Sequence, residues 1–370
     1  MTSKKKKVVN EKEKIVISPM EQLKKEMLAS SKGVTLEPLE EEKPGEWLVS
    51  PAYDLNRILS GDLYKSVQTK NHIGIVGPET SGKSSFMCIM LADAQKKGYL
   101  PVVIDAEGAW TREFVTRWGL DDSNVLKLKS MWVDEIMVSL TEWIQAGYKK
   151  LAIAIDSIGA LEVKKLLKDG DKGNIKTDMG KLQREIKRML KMIVNLCKNH
   201  DCIAFSAGHY YGNSSGYGDP EKIGGGMYYK LSCDQIISLK KSILYENPNG
   251  KSKKEKGAVL GNKIHVATLK NRTYPPFQEG TLEIDYKNGV NPLAGMIDLA
   301  MDLECINKTG SWYSVPSLDI KVQGKTALME ALKTHDIKPI LDEINKDLAT
   351  TCYSTVNKNL EMAEEIAKEN

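Results

Sequence analysis

The sequence predicts an α/β fold built on a mostly parallel sheet flanked by helices, and two observations carry that expectation. Apolar, β-like runs alternate with helical segments from Trp47 to about Tyr286. The first run ends in a glycine-rich, lysine-bearing loop that opens a helix, the strand–loop–helix order of a nucleoside triphosphate site. The runs are Ile73 to Val76, Val102 to Asp105, Leu151 to Asp156, Ile203 to Ser206, Gln235 to Leu239, Lys263 to Leu269 and Leu282 to Tyr286. In such sheets ligands bind beyond the carboxyl ends of the strands, so residues at those ends are the candidate functional groups.

At 370 residues and 41% hydrophobic, the chain is long and apolar enough to bury a proper core. Its formal net charge of +4 is the surplus of the first fourteen residues, where Lys4, Lys5, Lys6, Lys7, Lys12 and Lys14 face only Glu11 and Glu13. A lysine arm of this kind is ordinarily solvated, with attraction to nucleic acid as its functional rival. No apolar stretch approaches a membrane span and the charged start lacks the apolar segment of a secretory signal, so the expected location is the cytoplasm. The cysteines form no C-x-x-C pair, and Cys197, His200 and Cys202 lack a second ligand pair, which argues against a metal cluster.

After the arm, Ser18-Pro19-Met20-Glu21 has the form of a capping box with proline at the first helical position. Met20, Leu23, Met27 and Leu28 then recur at helical spacing, a short amphipathic helix that must pack on its own domain or on a neighbouring subunit. An acidic, proline-containing linker, Glu37 to Glu46, follows.

The phosphate loop comprises Gly77, Pro78, Glu79, Thr80, Ser81, Gly82, Lys83 and Ser84, with Ser85 entering the helix. Glycines let the backbone approach a phosphate, so that successive amides and the helix N-terminus face the anion. Lys83 supplies a point charge for the β- and γ-phosphates and Ser84 a hydroxyl for Mg²⁺. ATP is the expected nucleotide, although the loop alone does not separate it from GTP.

Asp156 closes the run Leu-Ala-Ile-Ala-Ile, where a carboxylate orients Mg²⁺ or its water; a helix N-cap is the alternative. Glu107, two residues beyond Asp105, sits where a carboxylate orients and deprotonates water; a surface role is its alternative. A polar loop from Lys164 to Asp178 precedes a long helix, Met179 to Asn199, whose Leu182, Ile186, Met189, Leu190 and Ile193 share one face. The irregular loop from Ala207 to Lys230, with His209, Tyr210, Tyr211, Gly224 and Gly225, has the glycine, tyrosine and lysine of a segment that stacks on bases. Its composition equally fits an ordinary flexible loop. Ser242 to Asn262 reads as a basic hairpin tip, and Lys270 and Arg272 end a strand as two cations that could reach a phosphate of the same or a neighbouring subunit. From about Val290 the chain reads as a smaller, mainly helical region, with helices at Met296 to Leu303, Lys325 to His335 and Ile337 to Ala349 and a polar last helix from Val356 to Asn370.

Taken in order, these motifs resemble the RecA recombinase family, most closely its phage, UvsX-like branch. Gly77 to Ser84 is similar to the family's GPESSGKT, Val102-Val103-Ile104-Asp105-Ala106-Glu107 to its FIDAE, and Ile155-Asp156-Ser157-Ile158-Gly159-Ala160-Leu161 to its VDSVAAL. Lys270-Asn271-Arg272 with Pro276-Phe277, then Gly289-Val290-Asn291, then Gly310-Ser311-Trp312-Tyr313-Ser314 beside the family's GAWYS, keep the order between about residues 47 and 335.

The resemblance implies a RecA-like P-loop ATPase core over residues 47–289. A basic tail and N-terminal oligomerisation helix would occupy 1–46, and a small α-rich C-terminal domain 290–370. It implies Lys83 and Ser84 on ATP·Mg²⁺, Asp156 as the Walker-B acid, Glu107 as the base for water, and Phe114 where the family stacks a tyrosine on adenine. Lys270 and Arg272 would reach across a subunit interface to the γ-phosphate. The loops Lys164 to Asp178 and Tyr210 to Gly226 would correspond to the two DNA-binding loops, and Arg184 to a DNA-contacting arginine. His209 stands where the bacterial family has the glutamine thought to report the γ-phosphate to the second loop; histidine resembles the phage branch.

The expected function is therefore an ATP-dependent recombinase that forms helical filaments on single-stranded DNA, with ATP at the subunit interfaces, and exchanges strands with duplex DNA. Single-strand-binding and mediator proteins are further expected partners. The rivals are a DnaB-type hexameric helicase, which usually carries an extra N-terminal helical domain, and an ATP-binding mediator without strand exchange, against which Glu107 with Asp156 speaks.

Overall fold

The computed structural model describes residues 19–30, 43–164, 178–212, 221–224, 226–246, 250 and 252–349. It divides into two units, Met1–Pro44 and Gly45–Asn370. In the first, helix α1 (Pro19–Ser30) starts at the expected proline, and its Met20, Leu23 and Met27 are exposed.

The second unit runs α2 (Tyr53–Ser60), β1 (His72–Val76), α3 (Lys83–Lys96), β2 (Leu100–Asp105), α4 (Arg112–Arg117), β3 (Leu126–Leu128), α5 (Val133–Gln145) and β4 (Leu151–Asp156). It continues with α6 (Asp178–Asn199), β5 (Ile203–Gly208), β6 (Tyr210–Gly212), β7 (Glu221–Ile223), α7 (Gly226–Ser232), β8 (Gln235–Tyr245), α8 (Lys253–Lys256), β9 (Val259–Asn271), β10 (Glu279–Asp285) and β11 (Gly289–Asn291). Among the described residues nine of these strands form one sheet in the order β11-β10-β9-β8-β1-β5-β4-β2-β3, and β6 and β7 form a separate pair. From β8 to β3 neighbours pair in parallel, while β9, β10 and β11 pair antiparallel at the other edge.

Each expected apolar run is a strand, and β1, β4 and β5 are buried along their whole length, which is why they read as continuous rather than alternating apolar runs. Their side chains alternate between two cores. Ile73, Ile75, Ala152, Ala154 and Phe205 meet Phe86, Met87 and Met90 of α3 on one face. Ile153, Ile155 and Ala204 meet Val133, Ile136 and Leu140 of α5 and Ile186, Met189, Leu190 and Ile193 of α6 on the other. The apolar face read from the long helix is thus core, apart from Leu182, which is partly buried against it.

Two expectations need correction. The hairpin tip is shorter than Ser242 to Asn262, because β8 continues to Tyr245 and β9 begins at Val259. The stretch from Ala207 to Lys230 is less irregular than read: β6 and β7 pair antiparallel, with Tyr210 opposite Ile223. The region after Val290 is mainly helical, as expected, with a small sheet besides. It holds α9 (Met296–Asp302), a three-stranded antiparallel sheet of β12 (Asn307–Thr309), β13 (Trp312–Val315) and β14 (Ile320–Gln323), α10 (Lys325–Thr334) and a helix over 338–349. This region has its own core, including Met296, Tyr313, Val315, Leu328 and Leu341, to which Leu63 contributes from outside. Among the described residues no helix is long and apolar enough to cross a membrane. The expected last helix from Val356 lies outside the described residues.

His72 opens β1 fully buried, with Nε2 2.8 Å from Ser206 Oγ. Burial, opposed by Asp234, brings its pKa down from 6.5 to about 4. The unfolded chain therefore binds a proton that the folded one refuses, so this contribution to stability is complete above pH 6.5 and is lost as pH falls towards 4. His72→Gln should flatten that acid limb, read as urea midpoints between pH 7 and 4.5; an unchanged limb would assign it to other groups.

Candidate nucleotide site

The register of the sheet assembles the site. Val76 lies level with Gly208 of β5 and Ser238 of β8, and Asp105 of β2 lies level with Asp156 of β4. The loop after β1, the turn after β2, the end of β4 and His209 after β5 therefore share one edge, as the strand-end rule requires.

The loop folds tightly onto the sheet. A Cβ on Gly77 would lie 2.5 Å from the Leu239 carbonyl oxygen and 2.7 Å from Ser81 Oγ, so only glycine fits. Gly82 caps α3 with φ of 99° and no side-chain cap, leaving the first-turn amides open at the loop mouth. Thr80 adopts φ of 56°, and its hydroxyl accepts from Lys241 Nζ at 3.2 Å. Lys83 is buried and donates to the carbonyls of Gly77 at 3.1 Å and Pro78 at 2.8 Å. Burial lowers its pKa, opposed by Asp156, Glu107 and Glu79.

Asp156 is buried, and its Oδ2 accepts from Ser84 Oγ at 2.6 Å and Trp110 Nε1 at 2.8 Å. Burial raises its pKa, only partly offset by those two donors. Glu107 Oε1 accepts from the Ser157 hydroxyl and lies 3.3 Å from His209 Nε2. The turn carrying Glu107 is shaped by Asp105, which accepts the amides of Gly108 at 2.7 Å and of Ala109 and Trp110 at 3.1 Å each. Burial pushes the Asp105 carboxyl up, but Lys127 and the Trp110 and Gly108 amides outweigh it and hold the pKa below the usual value.

A cleft of about 1130 Å³ opens between these groups. Glu79 to Ser85, Glu107 and Asp156 line its floor, with Phe114, Arg117, Trp118, Asn262 and the turn from Asp285 to Gly289 among its other walls. The residues fit a magnesium-bound triphosphate on three counts. Ser81 Oγ is buried without a hydrogen-bond partner among the described residues. The α3 N-terminus and Lys83 present donors and positive charge. The Ser84 hydroxyl and the Asp156 carboxylate form the hard oxygen pair that Mg²⁺ prefers.

Lys270 and Arg272 lie elsewhere. Lys270 pairs with Ile236 and Asn271 with Gln235, and Gln235 is level with Ile73, so both cations stand at the opposite end of β1 from the phosphate loop. Four residues of strand put about 13 Å of sheet between the two ends. Lys270 Nζ donates to the carbonyls of Lys230 at 2.8 Å and Cys233 at 2.5 Å, and Arg272 pairs with Asp234 at 3.0 Å. Burial and then Arg272 lower the Lys270 pKa.

Of the expected DNA-contacting residues, Arg184 is exposed on α6. Tyr210 is partly buried against the second core, and its hydroxyl donates to Ser238 Oγ at 2.8 Å. Gly224 donates its amide to the His209 carbonyl at 2.8 Å, closing the base of that hairpin. Gly225, the Tyr211 side chain and residues 165–177 lie outside the described residues. Sequence reasoning missed Trp110, Ser157 and Lys241. Trp110 had a signal, standing three residues after Glu107 in the turn; the other two became visible only through the fold.

The family model for the RecA N-terminal domain matches residues 65–291, and that for the RecA C-terminal domain matches 294–352. A curated relative called Protein RecA from Francisella philomiragia is 30% identical over 277 residues, covering 75% of this chain and 73% of its own. Those from Rickettsia canadensis, 28% identical over 294 residues and covering 79% and 81%, and from Chloroherpeton thalassium, 27% identical over 265 residues and covering 71% of each chain, are similar as well.

Asp105→Ala removes the acceptor of three turn amides. Exchange of the Gly108, Ala109 and Trp110 amides should quicken by at least about tenfold, the consequence of more than 1.4 kcal/mol lost from the turn. Unchanged protection would mean that the backbone holds the turn unaided.

Proposed function

The chain belongs to the RecA family, whose N-terminal domain model matches more than half of it, and from that membership we propose a DNA-dependent ATPase that assembles on single-stranded DNA and catalyses homologous pairing and strand exchange. The observation that carries the reading is the convergence of Lys83, Ser84, Asp156 and Glu107 on one cleft, with His209 joining Glu107 to the base of the β6–β7 hairpin.

Lys83 would meet the β- and γ-phosphates, Ser84 and Asp156 would hold Mg²⁺, and Phe114 would face the base. Mg²⁺, when bound, supplies charge neutralisation on the phosphates. Glu107 would orient water and take its proton, held in place by Ser157 and His209. His209, between that carboxylate and the hairpin, would relay the state of the phosphates to the second DNA-binding loop, and its identity supports the UvsX-like phage branch. Because Lys270 and Arg272 stand at the far end of the sheet, they would act on the nucleotide of a neighbouring subunit, so that the complete site exists between copies in a helical filament. The exposed Met20, Leu23 and Met27 support docking of α1 on such a neighbour. Arg184 and the loops Lys164 to Asp178 and Tyr210 to Gly226, with Tyr210, Tyr211, Gly224 and Gly225, would contact DNA. The expected setting is the cytoplasm, of a host cell if the protein is phage-encoded, with single-strand-binding and mediator proteins as partners. A ring helicase and a non-exchanging mediator are less favoured, since the match extends through both RecA domains.

Phosphate release without DNA, with single-stranded DNA and with duplex DNA tests the reading. Single strands should stimulate turnover strongly and Lys83→Ala should abolish it; robust turnover indifferent to DNA would contradict the assignment.

A further inference from the structure

Trp110 is buried to 4% exposure on the turn shaped by Asp105. A buried indole N–H needs an acceptor, and here the acceptor is a carboxylate: Nε1 donates to Asp156 Oδ2 at 2.8 Å. Ser84 donates to the same oxygen at 2.6 Å, from α3. The ring meets Phe114 edge-on, with centroids 5.4 Å apart and planes at 76°, and Phe114 lines the cleft. The indole is anchored from behind, since the Trp110 amide donates to Asp105 at 3.1 Å and its carbonyl accepts from Lys127 at 2.7 Å.

We propose that Trp110 is a positioning residue that fixes the plane of the Asp156 carboxylate for Mg²⁺ and, through Phe114, ties the base wall of the cleft to its metal side. Two donors on one oxygen, from separate elements, leave a carboxylate a single orientation. With the indole donor removed, Ser84 alone among the described side chains holds that oxygen, and a buried acceptor loses half of its partners. Pure packing would ask only for an apolar ring at this position. The inference rests on the ATP·Mg²⁺ reading of the cleft.

The test measures affinity for N-methylanthraniloyl-ADP by fluorescence, in EDTA and in excess Mg²⁺. Trp110→Phe keeps a ring against Phe114 and deletes the N–H; replacing Trp110 with 3-benzothienylalanine deletes it without changing shape, which guards against a misfolded variant. Both should bind as the unaltered protein does in EDTA and lose about tenfold of the gain from Mg²⁺, the worth of one hydrogen bond to a charged acceptor. Trp110→Leu should also bind more weakly in EDTA, because it removes the edge contact with Phe114. Retention of the full Mg²⁺ gain by the benzothienyl protein would overturn the inference while leaving the ATP site intact. Absence of any Mg²⁺ gain in the unaltered protein would overturn the reading of the site and the inference with it.

Discussion

The pairing of β1 between β5 and β8 is the constraint from which the rest of the molecule follows. Parallel pairing on both sides brings Gly208, the end of β5, and Ser238, within β8, level with Val76, so the phosphate loop, His209 and Ser238 meet at one edge. The same pairing fixes what stands at the other edge. β9 runs antiparallel to β8 and therefore ends where β1 begins, carrying Lys270 and Arg272 away from the loop of their own chain. A nucleotide site completed by a neighbour is thus a consequence of strand direction in the proposed account.

Burial sets the electrostatics of the cleft. Lys83 and Asp156 are both taken out of water, which shifts each towards its neutral form, and each is held by short-range partners: loop carbonyls for the ammonium, Ser84 and Trp110 for the carboxylate. Glu107 is more open and joins Ser157 and His209. That contrast suits the proposed division of labour, in which the buried pair binds phosphate and metal while the accessible carboxylate handles water. At the far edge, Lys270 rests on the carbonyls that end α7. Its proposed reach to a neighbour exchanges those carbonyls for a phosphate, and α7 follows directly on the hairpin whose base His209 closes.

The sequence was most legible where a long apolar run ended abruptly in a glycine or a carboxylate. Burial on both faces makes such runs continuous, and the residues that follow them share one edge, which is why the sequence singles out Gly77 and Asp156 at two run ends and Glu107 two residues past a third. Strands of three residues carry no measurable period: β3 and β11 escaped notice, and β12, exposed throughout, offered no apolar signal at all. Composition carries no sign of the contact that Tyr210 makes, because only the fold places its hydroxyl on Ser238. Trp110 becomes a candidate only where β2 and β4 bring its turn beside Asp156.

In the proposed assembly one chain's phosphate loop works with another chain's strand end. The most direct measurement mixes equal amounts of Lys83→Ala and Arg272→Ala proteins and records turnover on single-stranded DNA. Each variant alone should be nearly inactive. In a head-to-tail assembly with random order, roughly a quarter of the interfaces would pair an intact loop with an intact arginine, so the mixture should recover roughly that share of the unaltered rate. A mixture no more active than the sum of its parts would contradict the shared site.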